Sequence, residues 1–166
     1  MPEKPKIEQI ISEYLDGEMK KIALEFAEYM RESKIPLKLC ATNTWRWKAL
    51  YKGKAVCGVV FTQNSWSIGP VNWPLTKCDY NTGYEDVSTN ERLKNSAWKN
   101  ISYCKGCNKK CCAYVQASVF GKEFDKVCWM SHICFINPDA DAIELAKIII
   151  KKRCADISLG LPNFYK

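Results

Sequence analysis

Four cysteines stand within the ten residues from Tyr103 to Cys112, YCKGCNKKCC. Thiols this close can hold a metal, close a disulfide or act as a redox pair. Zinc needs four donors about 2.0 to 2.3 Å from one point, and a Cys-x2-Cys turn brings two of them together locally. Cys104 and Cys107 have that spacing, and Gly106 can take the positive φ that a tight knuckle often requires. Cys111 or Cys112 could supply a third thiolate, since adjacent residues rarely both bind one ion. The fourth ligand must come from further along. Cys128, His132 and Cys134 share one parity, but on a regular strand at about 3.3 Å per residue Cys128 stands ~13 Å from His132 and ~20 Å from Cys134. A strand therefore gives only one of them to a single ion, whereas a helix would make Cys128 and His132 i, i+4 neighbours. The strand reading is preferred. It predicts a structural zinc held by Cys104, Cys107, Cys111 or Cys112, and Cys128.

The same residues admit rival chemistry. Cys104, Cys107 and Cys111 form C-x2-C-x3-C, which departs from the bacterial ferredoxin run in spacing and in lacking its proline. A redox C-x-x-C usually opens a helix in a βαβ setting, whereas this one precedes a hairpin pattern. Free or disulfide-linked cysteines without metal are the remaining alternative, and the vicinal Cys111-Cys112 pair keeps it open. Cys57 and Cys154, in a strand and after an apolar helix, read as core residues. Cys40 and Cys78 carry no signal. A Cys128 thiol with His132 as its base would sit too far apart on a strand for the ~3 Å contact catalysis needs. With one histidine and no G-x-S-x-G, P-loop or zinc-deaminase signature, the chain offers no catalytic residue, and whether it is an enzyme stays open.

Aromatic residues make the second constellation. Trp45, Trp47, Tyr51, Trp66, Trp73, Tyr80 and Tyr84 lie between positions 45 and 84. Tryptophans on neighbouring strands can line an apolar pocket, here Trp45, Trp47, Trp66 and Trp73, with Arg46, Asn64 or Asn72 orienting a ligand. The plainer reading puts Trp45 and Trp47 on the core side of a hairpin and Arg46 and Lys48 in water. Stacking on single-stranded nucleic acid would need the tryptophans of TWRWK turned outward.

The elements that must position these groups follow from periodicity. Ile7, Ile10, Ile11, Tyr14 and Leu15 make one face of an amphipathic helix, and Ile22, Phe26 and Met30 mark a second that ends before Pro36. Alternation then takes over. Trp45 to Thr62 reads as a hairpin turning at Lys52-Gly53, and a turn at Gln63-Asn64 leads to a third strand, SWSIG. Pro70 to Asn100 reads as a long connection with a short helix near Asn90 to Trp98. After the cysteines, AYVQASVF, a turn at Gly121-Lys122 and EFDKVCWMSHICFI make a second hairpin. Asn137 as N-cap, Pro138 at the first helical position and acidic Asp139 and Asp141 predict a final helix that buries Ala142, Leu145, Ala146 and Ile149. Strands gathered together, with helices at both ends, give an α+β fold. Its expected form is one antiparallel sheet of about five strands carrying the terminal helices, in a single domain 1–166 with a Cys-rich knuckle at about 103–113.

This order of elements resembles the small bacterial YdhG-like domains of unknown function and related Cys-rich clostridial proteins. The resemblance rests on the N-terminal helices, the hairpin YKGKAVCGVVF leading to NSWSIG, and the last strand running into NPDADAIELAKIIIKKR. It implies a fold and supplies no catalytic residues. The cysteine knuckle departs from the plain YdhG-like pattern.

Composition narrows function further. A chain of 166 residues buries roughly 70 % of its unfolded surface, so cysteine is not needed as general scaffolding. The start MPEKPKIEQ lacks the apolar stretch of a secretory signal, and no run approaches the ~20 apolar residues that cross a bilayer. A cytoplasmic, membrane-free location is expected, where thiols stay reduced and ten cysteines favour metal or redox chemistry. The formal charge of +7 is spread, with 15 basic against 12 acidic residues up to Asn100 and 10 against 6 beyond. A nucleic-acid binder concentrates its charge on one face. The expectation is a binding or sensor-like domain with an aromatic pocket for a small apolar or aromatic ligand and a structural zinc. A nucleic-acid-binding zinc module is the alternative, and an iron-sulfur or thiol redox protein the second alternative.

Overall fold

The computed structural model describes residues 4–41, 43–70, 78–79, 87, 89–103, 114–128 and 132–160. Among them, α1 is Ile7–Tyr14, α2 Gly17–Glu32, α3 Glu91–Lys99 and α4 Ala140–Ser158. The strands are β1 Leu37–Ala41, β2 Trp45–Tyr51, β3 Lys54–Thr62, β4 Ser65–Pro70, β5 Cys78–Asp79, β6 Tyr114–Val119, β7 Lys122–Cys128 and β8 Phe135–Ile136. The fold is α+β. Five strands form an antiparallel sheet in the order β1-β2-β3-β4-β8, and β5-β6-β7 form a second sheet in which β5 runs parallel to β6. None of the described helices is long and apolar enough to cross a membrane.

Local chemistry explains the large sheet. Lys52 and Gly53 both have positive φ, 47° and 78°, as a two-residue type I′ hairpin loop requires. Trp47, Ala49, Cys57, Val59, Phe61, Trp66, Ile68 and Phe135 all point to one buried face, and the register Trp47↔Val59↔Ile68↔Phe135 lines them across four strands. Helices α1, α2 and α4 bring Ile11, Phe26, Met30, Leu145 and Ile149 against that core. Arg46 and Lys48 face water, as the alternation requires. The helix α3 starts at Asn90, whose side-chain oxygen accepts from the N–H groups of Arg92 and Leu93. It joins α4 through Arg92, which pairs with Asp141 and Glu144, and joins β6 through Trp98 Nε1 donating to the Val119 carbonyl at 2.8 Å.

Several boundaries differ from the sequence expectation. The second hairpin belongs to the smaller sheet, and the fifth strand of the large one is the two-residue β8. Its turn is Phe120-Gly121, with φ of 48° and 82°, because a type I′ loop needs two positive values and places glycine second, as at Lys52-Gly53. The strand β1 had no counterpart in the expected order. The final helix starts two residues late: Asp139 is the N-cap, its side chain accepting from the Ala142 N–H at 2.8 Å. Asn137 is committed elsewhere. At φ 45° it continues the β4 pairing, and its Oδ1 accepts from the Trp66 N–H at 2.9 Å and the Ser65 hydroxyl at 3.0 Å.

The continuous strand expected through His132 and Cys134 is also replaced. β7 stops at Cys128, and the chain reaches the large sheet at Phe135. Ser102 holds both sides of this interruption: its C=O accepts from the Cys128 N–H at 2.7 Å and its N–H donates to the His132 C=O at 2.8 Å. Two residues whose backbones bond to one residue are near neighbours, so the separation of ~13 Å that a regular strand implies does not apply.

Candidate functional site

The aromatic residues form a run of ring contacts across the sheet. Trp45 stacks on Trp47 with centroids 6.1 Å apart, Trp47 meets Phe61 edge-on at 5.6 Å, and Phe61 stacks on Trp66 at 5.9 Å. Trp47 and Trp66 are 2 % and 1 % exposed, so both belong to the core. Trp45 is half-buried and closes the run against Tyr14. Arg46 projects from the opposite face of β2 and is exposed. The structure therefore brings Trp45, Trp47 and Trp66 together as packed hydrophobic surface and does not bring Arg46 to them. Trp73 lies outside the described residues.

An open groove lies at the edge of this core, where Trp47 reaches its floor. Its volume is about 610 Å3, between α1, the C-terminal end of α2 and β1. The register Leu37↔Ala49 and Leu39↔Trp47 points Leu37 and Leu39 to the helix-covered face of the sheet. The helices cover the neighbouring strands more fully than β1, which leaves both leucines half-buried. Ile7, Ala27, Ile35 and Trp47 make the apolar floor, and Pro5 and Pro36 stand at its sides.

The end of α2 shapes one wall. The Ile35 N–H donates to the Met30 C=O at 2.9 Å and the Lys34 N–H to the Arg31 C=O at 3.0 Å, the paired bonds of a Schellman motif. The motif needs a left-handed residue between them, ordinarily glycine. Lys34 occupies it at φ 56°, costing roughly 1 kcal/mol relative to glycine. The turn buries Ile35 in the floor and leaves Lys34 exposed at the rim.

The rim is cationic. Lys4, Lys6, Arg31 and Lys34 line the groove against a single carboxylate, Glu8. Arg31 is occupied, paired with Glu8 at 3.2 Å and with Glu28. Lys4, Lys6 and Lys34 make no ion pair among the described residues. Pockets for small ligands typically measure about 300 to 1,000 Å3 and combine apolar walls with a few placed polar groups. This groove has both properties.

Of the expected zinc ligands, only Cys128 is described; Cys104, Cys107, Cys111 and Cys112 lie outside the described residues. Cys128 is a half-buried free thiol. Among the described residues no group of three or more His, Cys, Asp or Glu side chains could hold a metal. Burial, then the neighbouring Cys128, raises the Cys134 thiol above its ordinary range. Cys57, fully buried and next influenced by Cys134, is raised further. Such thiols are poor nucleophiles at neutral pH. His132 is buried and its pKa falls to about 4, so it is neutral at physiological pH. Comparison with known proteins finds no family model, no curated protein and no solved structure that matches the chain.

The groove was missed because its parts look ordinary in sequence. Leu37-Lys38-Leu39 is a short alternation after Pro36, the one available hint of β1. Nothing in the sequence marks Lys34 as a left-handed residue.

Proposed function

We propose that this protein is a small-molecule binding domain whose site is the groove beside β1, with Trp47 in its floor. The observation that carries the reading is an apolar floor of ligand size, framed by lysines that have no acidic partner among the described residues. The aromatic run behind it is packed, which makes the floor a rigid surface that pays little ordering entropy on binding. Titration with Nile red, a neutral fluorophore that brightens in apolar sites, tests the reading. Saturable binding by the full chain is expected, weakened tenfold or more by Leu39→Trp, whose larger side chain fills the groove. Binding unchanged in that variant refutes the location.

A structural zinc is a second proposal, supported by the strands around Cys128. Tyr103 pairs with Val127 on one side of β7, and Tyr114 pairs with Cys128 on the other. Tyr103 and Tyr114 thus each lie about one strand spacing, roughly 4.8 Å, from β7. Thiolates of Cys104, Cys107 and Cys111 or Cys112 would complete the site with Cys128, and zinc there would brace the knuckle. Elemental analysis of reduced protein should find about one zinc per chain. Serine at Cys104 or Cys107 should remove it, and serine at Cys40 or Cys154 should not. Reduced protein free of zinc and iron overturns the proposal, and iron in place of zinc favours the iron-sulfur alternative.

A further inference from the structure

We infer that the groove selects an anionic amphiphile, a carboxylate borne on an apolar ring or chain, and that Lys34 is the residue that determines this preference. The inference rests on the binding reading above and adds the chemical class of the ligand. Two independent features point to it. The first is electrostatic: the groove carries four cations against Glu8, and Glu8 is already engaged by Arg31. An entering carboxylate therefore meets Lys4, Lys6 and Lys34 with no acid besides Glu8 lining the groove, while its apolar body covers Leu37, Leu39 and Trp47. A cationic ligand would meet like charges instead, and a neutral one would leave the ammonium groups unpaired beside newly dried surface.

The second feature is conformational. Lys34 holds the one left-handed position in the turn between α2 and β1, at φ 56°. Glycine would satisfy the Schellman bonds to Met30 and Arg31 without strain. A lysine there adds nothing to the capping, and the position fixes its Cα at the rim, next to the Ile35 floor. Of the three unpaired lysines, Lys4 and Lys6 precede or cap α1, whereas Lys34 sits in a turn closed by two backbone hydrogen bonds, its own to Arg31 and that of Ile35 to Met30. It is the better placed to discriminate between ligands.

Calorimetric titration of the full chain with 1-naphthylacetate and with its neutral isostere 1-naphthylacetamide tests the inference. The acid should bind at least tenfold tighter than the amide at low salt, and the preference should shrink as salt is added. Lys34→Met keeps the strained backbone and removes the charge, so the preference should fall to about threefold or less with the melting temperature unchanged. Lys34→Gly should lose the preference equally while the melting temperature rises by about 1–3 °C. Equal affinity of acid and amide for the wild type overturns the inference and leaves the binding reading standing. An unaltered preference in both variants overturns the role of Lys34. Failure of both probes to bind, together with failure of Nile red, removes the binding reading and the inference with it.

Discussion

Acid should weaken this fold through His132 more than through any single exposed group. The imidazole is 5 % exposed and burial lowers its pKa from 6.5 to about 4. A folded-state pKa below the unfolded one means that the stability it protects is complete above about pH 6.5 and is lost as pH falls towards 4. Between those values the unfolded chain takes up a proton that the folded chain refuses. The gap of about 2.5 pH units corresponds to about 3 to 4 kcal/mol at ~1.4 kcal/mol per unit, most of which is gone by pH 4.5. Urea unfolding of the wild type and of His132→Gln, from pH 7.5 to 4.5 with reductant and EDTA in every sample, isolates this contribution. Carboxylates titrate alike in both proteins, and EDTA removes any difference due to metal loss. The wild type should lose about 2 to 3 kcal/mol more than the variant across the range. Parallel stability curves would show that His132 gains a proton as readily folded as unfolded, and the argument from burial would fail.

Three further outcomes follow from the packing. Asn137→Ala removes the acceptor for the Trp66 N–H and puts alanine at φ 45°, so chemical denaturation should show a loss of about 1–3 kcal/mol. Gly53→Ala meets no neighbour within 4 Å but must hold φ 78°, and a loss of about 1–2 kcal/mol in the same assay would be strain alone. Thiol titration of the folded protein with Ellman's reagent should label exposed Cys40 at once and leave Cys57, buried with its thiol pKa raised, unlabelled until denaturant is added.

What was legible in the sequence was whatever depends on local periodicity. The face of α1, the parity of Trp47 against Arg46, the Lys52-Gly53 turn and the buried stripe of α4 are each set by residues within a few positions of one another. The assignment of strands to two sheets was not legible, because it depends on Ser102 bonding to both Cys128 and His132 across an interruption that period-two patterning reads straight through. Asn137 misleads for a related reason. Asparagine is a good N-cap, but here its side chain answers a backbone N–H on a strand more than seventy residues away in sequence. The groove is a product of tertiary arrangement, made where two helices leave the edge of a sheet uncovered, and its lysines read in the sequence as ordinary solvated charges.

Amide chemical-shift mapping of the full chain titrated with 1-naphthylacetate locates the binding site residue by residue. Binding in the groove beside β1 should give saturable shifts concentrated on Ile7, Ala27, Lys34, Ile35, Leu37, Leu39 and Trp47, with little change on α3 and β6. Saturable shifts centred on α3 and β6, with the groove residues unmoved, would show that the ligand binds elsewhere.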